Sequence, residues 1–230
     1  MRLYIANKNY SSWSLRPWLL LRTIGIPFDE VALRLATHDD SDFKRTLLAL
    51  APTGRVPLLI DDDGFAVWDS LAICEYLADR FPTRGMWPGD RQQRARARSL
   101  CAEMHSGFAT LRSVFPMNIE ASLPEVGPRV VAENDAARRD VARVDSLWCE
   151  QLDASGGPFL FGSSFGIADA FYAPVASRFA TYAVPISGPA QAYADRILAL
   201  PAMREWAEAA RAEHDFIPDD EPYRTRPELV

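Results

Sequence analysis

Apolar residues follow two regimes along this chain. Over the first 80 residues, short apolar runs of strand length alternate with stretches whose apolar positions recur every three or four residues. Arg2–Ala6 predicts a strand and Asn7–Ser14 a polar loop. Leu15–Ile24 predicts a helix with Pro17 in its first turn, Ser14 as its N-cap and Gly25 as the residue that stops it. Phe28–Leu35 alternates as a second strand, and Ser41–Leu50 reads as a short helix ending before Pro52. Pro57–Ile60 and Phe65–Trp68 form a hairpin around Asp61, Asp62, Asp63 and Gly64, because glycine tolerates positive φ and aspartate bonds its own backbone. Ser70–Arg80 then presents Leu71, Ile73, Cys74 and Leu77 at helical spacing.

Beyond Arg91 the strand pattern disappears. Arg91–Glu120 reads as one long helix bent at Pro116, Pro128–Ala154 as a second, and Ile167–Tyr182 as a third kinked at Pro174. Ala190–Leu198 and Ala202–Ala212 complete the set, and Asp215–Val230, rich in Pro and Asp, reads as an irregular tail. Between the regimes lies Phe81-Pro-Thr-Arg-Gly-Met-Trp-Pro-Gly-Asp90, whose prolines and glycines mark a connector. The expected fold is therefore α/β plus all-α: a thioredoxin-like βαβαββα domain over residues 1–81, a linker over 82–90 and an all-helical domain over 91–230.

Charge and cysteine usage narrow the function classes. The net charge is −6, and residues 1–81 carry 9 basic and 11 acidic side chains, so no basic face is concealed for nucleic acid. The three cysteines, Cys74, Cys101 and Cys149, are far apart, which speaks against a disulfide frame or a zinc site and for a reducing compartment. The three histidines, His38, His105 and His214, lack metal-ligand spacing. Met1–Ala6 is too short for a signal peptide, and no apolar run approaches membrane-spanning length. The expectation is a cytoplasmic protein with no metal, nucleic-acid or membrane partner.

The richest chemistry lies in Thr53–Leu77. A proline opening a strand cannot donate to the ladder, so Pro57 belongs at a bend, with a cis Val56–Pro57 bond expected and Arg16–Pro17 expected trans. Such a bend frees the Val56 backbone to pair with an extended peptide. The Asp69-Ser70 helix start offers unpaired N–H groups, a hydroxyl and a positive dipole end for a carboxylate, and Asp69 can take a neighbouring ammonium. Together they suit a small γ-linked peptide.

Pro52-Thr-Gly-Arg-Val-Pro57, the hairpin, and Asp69-Ser70-Leu-Ala-Ile73 resemble the glutathione-binding half of cytosolic glutathione transferases. Phe159-Leu-Phe-Gly162 and Phe165-Gly-Ile-Ala-Asp169-Ala resemble that family's helix start in its second domain. Gly166 stands where the family usually has Ser or Thr, a change that costs a few tenths of a kcal/mol while Asp169 still reaches the Gly166 N–H. Tyr10-Ser11-Ser12-Trp13-Ser14 looks like the Ser-Ser-Cys-Ser motif of the zeta class, which identifies the chain as a serine-type, zeta/theta-like bacterial member. The resemblance implies Ser11 as the catalytic residue, with Ser12 second and Tyr10 third. Trp13 stands where the zeta and beta classes carry cysteine, which puts isomerase chemistry in doubt.

The site must hold a thiolate at neutral pH although a free thiol titrates near ~8.5. A hydroxyl donor and a helix N-terminus aimed at the sulfur would do so, and Ser11, or alternatively Ser12, serves as donor rather than nucleophile because no histidine base lies near. Val56, Pro57, Asp69, Ser70 and Lys44 are the expected glutathione-binding residues, with Arg55 a further cation nearby. His105, Phe108, Arg112 and Asn118 are the expected lining of the electrophile pocket. The expected activity is addition of glutathione thiolate to small hydrophobic electrophiles by a homodimer. The alternatives are a glutathione-dependent isomerase (maleylacetoacetate isomerase-like) or dehalogenase, and a non-catalytic binding protein. The basic run Arg91, Arg94, Arg96, Arg98 and the acidic tip Asp61–Asp63 are candidates for a dimer contact.

Overall fold

The computed structural model describes residues 1–36 and 38–225; the last five residues of the expected tail lie outside them. Four strands, β1 (Arg2–Ile5), β2 (Asp29–Ala32), β3 (Leu58–Ile60) and β4 (Ala66–Trp68), form one sheet in the order β2-β1-β3-β4. β1 runs parallel to β2, with Leu3 opposite Glu30, and antiparallel to β3, with Leu3 opposite Leu59. The pleat sends alternate side chains to opposite faces. Leu3, Ile5 and Leu59 enter the main core, while Tyr4, Leu58 and Ile60 meet Phe43 and Leu47 of α2 (Asp42–Leu48) on the other face.

The main core runs without a break from the sheet into the helices, joining Trp18 and Leu77 to Leu100, Trp148 and Phe171. α1 (Ser12–Ile24) and α3 (Ser70–Arg80) cover the inner face of the sheet, and α1 packs on α8 (Ile167–Tyr182). α8 has every residue but one buried, which is why its pattern is apolar almost all round. α4 (Arg91–Ser106), α5 (Ala109–Val114), α6 (Val126–Glu133), α7 (Asp135–Ser155), α9 (Gly188–Leu198) and α10 (Pro201–Ala212) complete the helical part. Among the described residues, no helix is long and apolar enough to cross a membrane.

The βαβαββα order of elements, the hairpin, α3 and α8 agree with the sequence reading, and the Val56–Pro57 peptide is cis. Three local readings are corrected. The long helix from Arg91 ends at Ser106: Gly107 breaks it, and Phe108 turns back at φ 53 to bury its ring, well before Pro116. The expected helix over 128–154 is divided at Asn134, whose side chain accepts from the N–H groups of Ala136 and Ala137 and so starts α7. α1 begins three residues earlier than its apolar pattern, so Ser11 is the N-cap and Ser14 lies inside the first turn. Pro17 consequently falls in the second turn. The tail, finally, is irregular but not free. Glu213 accepts from the N–H groups of Lys8 and Asn9, and Glu221 is 4% exposed between Tyr10, Asn118 and Arg224.

Candidate functional site

Where the chain entering β3, the start of α3 and the start of α1 converge, a cleft of about 280 Å³ opens. Its floor is Val56 and Pro57. Among the described residues, no hydrogen bond is made by the Val56 N–H or C=O. One wall is Trp68, Asp69 and Ser70. Asp69 Oδ1 accepts from the N–H groups of Leu71 and Ala72 and caps α3, which leaves Oδ2 to face His105 Nε2 at 3.1 Å. Asp69 does this at φ 76, a conformation that side chains other than glycine rarely adopt and that costs on the order of 1–3 kcal/mol. The Ser70 hydroxyl is buried at the same wall without a partner among the described residues. The unpaired Val56 backbone ahead of β3, a half-exposed carboxylate and an orphaned hydroxyl thus face one space.

The opposite wall comes from Trp13 and from His105 of α4, whose rings meet edge to face at 5.2 Å. Arg55 and Thr53 border the mouth. Lys44, on α2, lies beside Gly54 rather than among the residues that line the cleft. Ser11 and Ser12 precede Trp13 at the start of α1, are buried, and are not among the residues that line the cleft. Ser11 Oγ donates to Ser14 Oγ at 2.7 Å, and Ser14 Oγ also accepts the Ala6 N–H at 3.3 Å. Ser12 Oγ accepts from Arg178 Nη2 at 3.1 Å. Tyr10 points away: its hydroxyl donates to Glu221 at 2.7 Å, and burial together with that carboxylate raises its pKa. The N–H groups of Trp13 and Ser14 in the first turn of α1 have no acceptor among the described residues.

The remaining candidates divide. Arg112 donates to the Met104 carbonyl at 3.1 Å and holds its guanidinium 5.4 Å from the Trp13 ring centre. Phe108 is buried in the main core, and neither it nor Arg112 is among the residues that line the cleft. Asn118 is 1% exposed and is committed to Asn9, Ala121 and Glu221, so it joins the two parts of the chain and does not line this cleft.

Sequence reasoning missed two residues. Arg16 and Arg178 are fully buried behind the serines. Arg16 stacks 4.1 Å from the Trp13 ring centre, and its pKa is pushed down to about 9 by burial, then by Arg178 and Arg112. Arg178 is pushed down to about 10 by burial. Each has one terminal nitrogen with no partner among the described residues. A lone cation on the otherwise apolar α8 was the available signal. Among the described residues, no group of His, Cys, Asp and Glu is arranged to hold a metal ion, and Cys74 and Cys101 are buried free thiols.

Residues 10–80 match the family described as "Glutathione S-transferase, N-terminal domain", and residues 94–209 match "Glutathione S-transferase, C-terminal domain". The chain is 29% identical over 175 residues to glutathione S-transferase 1 of Dianthus caryophyllus, covering 76% of this chain and 75% of that protein. It is 28% identical over 181 residues to a maleylacetoacetate isomerase of Pseudomonas aeruginosa, covering 76% of this chain and 79% of that one. It superposes on a sphingomonad glutathione S-transferase complexed with glutathione with a TM-score of 0.64, at 25% identity over 91% of this chain and 98% of the other.

Proposed function

Because this chain belongs to the glutathione S-transferase family and is a glutathione transferase that takes glutathione as co-substrate, we propose that the Val56–Asp69–Ser70 cleft holds the tripeptide and that the start of α1 holds its sulfur. In this reading the Val56 backbone pairs with the peptide. The Ser70 hydroxyl and the N-terminus of α3 take the γ-glutamyl carboxylate, and Asp69 Oδ2 takes the ammonium. Arg55 and Lys44 supply positive charge near the glycine carboxylate. Ser11 or Ser12, with the free N–H groups of α1, holds the thiolate, which attacks an electrophile bound beside Trp13, His105, Phe108 and Arg112. One observation carries the reading: the Val56 backbone, an Asp69 carboxylate oxygen and the buried Ser70 hydroxyl, all without a main-chain partner among the described residues, face a single cleft. Residues 1–81 are then the glutathione-binding unit, 82–90 the linker, and the helical part from Arg91 the electrophile-binding unit. Calorimetry with glutathione, followed by turnover with haloarenes, epoxides and enones, tests the proposal; a protein with no affinity for glutathione would refute it.

A second reading has its own support. Arg16, Arg112 and Arg178 cluster near Trp13, and the two buried guanidiniums have no carboxylate within hydrogen-bond reach among the described residues. Uncompensated positive charge suits an anionic electrophile, such as the substrate of a glutathione-dependent isomerase. Including maleylacetoacetate in the turnover panel separates the two.

A cytoplasmic homodimer belongs to the same proposal. The charges first considered for its interface are partly used within the chain, since Arg80 pairs with Asp61 and Asp62, and Arg98 pairs with Glu75. Exposed Phe65 and Trp68 on the hairpin are better candidates, and light scattering reads the mass.

A further inference from the structure

The start of α1 is met from the helical part by a buried cation with no carboxylate in hydrogen-bond reach among the described residues. Arg178 lies on α8 and is 4% exposed. Its Nε donates to the Phe115 carbonyl at 2.7 Å, its Nη2 donates to Ser12 Oγ at 3.1 Å, and its Nη1 is buried with no acceptor among the described residues. A guanidinium fixed at Nε by a main-chain carbonyl cannot swing, so the lone pair of Ser12 that it uses is fixed as well. The Ser12 proton must then point elsewhere. A cation on the oxygen also polarises the O–H bond and makes it a stronger donor. Ser11 is placed differently, because its hydroxyl closes a local pair with Ser14, which is anchored by Ala6.

Resting on the transferase reading above, we propose that Arg178 is a positioning residue that acts through Ser12, turning that hydroxyl into the donor that holds the glutathione thiolate. The glutathione S–H bond breaks and its proton leaves to solvent. The electron pair stays on sulfur, and the Ser12 O–H and the N–H groups of Trp13 and Ser14 hydrogen-bond to it, with no bond formed to serine. The positive end of the α1 dipole acts from the same side. The site therefore takes its thiol-activating charge from across the interface between the α/β and helical parts. This explains why a buried arginine is tolerated there: burying a cation without a partner is costly, and a bound anion offsets that cost. The other charges near Arg178 are Arg16 and Arg112, which oppose its charged form, and Asp220, which favours it.

The experiment uses the full chain and begins with glutathione calorimetry on the wild type. Absence of binding there overturns the transferase reading and this inference with it. With binding established, thiolate absorbance of bound glutathione is titrated against pH in the wild type, Ser12→Ala, Ser12→Thr, Arg178→Gln and the Ser12→Ala/Arg178→Gln pair. Ser12→Ala and Arg178→Gln are each expected to raise the bound thiol's pKa by about one unit or more. Each should lower kcat with a haloarene, by about 100-fold for Ser12→Ala, with little change in the KM for glutathione. Ser12→Thr, which keeps the hydroxyl, should stay near the wild type. The double variant should shift the titration no further than Ser12→Ala alone. A folded Arg178→Gln protein with an unmoved titration overturns the proposal, as does a shift carried by Ser11→Ala and absent from Ser12→Ala. Should Arg178→Gln fail to fold, the Ser12→Ala and Ser12→Thr titrations decide: equal values in the two overturn it.

Discussion

Two helices of this molecule begin with an aspartate at work, and they are built in opposite ways. At the start of α8, Asp169 is 1% exposed, and its oxygens accept from the N–H groups of Leu160 and Gly166 and from the Tyr193 hydroxyl. At the start of α3, the Asp69 side chain is 42% exposed, sits at positive φ, spends one oxygen on its own helix and leaves the other at a cleft. Its neighbour Ser70 keeps a buried hydroxyl unpaired among the described residues. The first start is closed on itself and serves the fold. The second carries strain and unmet hydrogen-bonding capacity, which the fold does not need and a ligand can use.

The largest effect that tests this contrast is at Asp169. Asp169→Ala strands three donors in the core, each worth roughly 1–3 kcal/mol when unsatisfied, so a loss of at least about 3 kcal/mol is expected in urea unfolding. The same residue gives a pH signature. Burial raises its carboxyl from 3.8 to about 6, against the pull of the Leu160 and Gly166 N–H groups. The folded state thus keeps a proton that the unfolded chain releases. Its contribution is greatest below about pH 4 and is lost as pH rises through about 6, on the order of 3 kcal/mol at most. Asp169→Asn should remove that slope from the difference between the two unfolding curves. A difference that does not vary with pH would show that the carboxyl ionises equally in both states.

Asp69 should behave the other way round. Asp69→Gly loses the cap, which costs a few tenths of a kcal/mol, and the half-exposed His105 pair, worth about 0–1 kcal/mol. It also relieves a strained φ of similar or larger magnitude. Stability should stay level or rise while glutathione affinity falls by ~1.5–3 kcal/mol, the range for a hydrogen bond to a charged group. A protein destabilised as much as Asp169→Ala, with unchanged affinity, would make the two starts equivalent and erase the contrast.

The same contrast accounts for what the sequence could disclose. Short apolar runs in Arg2–Ala6 and Pro57–Ile60, and helical spacing in Leu71–Leu77 and Ile167–Tyr182, are local signals of burial, and those elements form where the pattern places them. Both aspartates were legible too, because a helix start is a local motif. The errors came where a distant partner overrides local preference. Phe108 turns the chain into the core and ends α4 early. Asn134 reads as an ordinary helix residue until its side chain is seen to cap α7. Arg178 reaches Ser12 across 166 positions and Glu221 reaches Tyr10 across 211, and no periodicity reports such a meeting.

The finest test of the contrast is Ser70. The residue is 2% exposed and its hydroxyl has no partner among the described residues, so in the free protein it carries a desolvation cost without a compensating bond from them. Ser70→Ala removes that cost with little loss of volume, and unfolding should be unchanged or shifted toward greater stability by up to about 1 kcal/mol. With glutathione bound, the hydroxyl is expected to donate to the γ-glutamyl carboxylate, and the variant should lose about 1–2 kcal/mol of affinity. The two measurements must move in opposite directions for the hydroxyl to be held for a ligand. If Ser70→Ala instead destabilises the free protein and leaves the calorimetric affinity untouched, the hydroxyl belongs to the fold, and the α3 start differs from the α8 start only in its exposure.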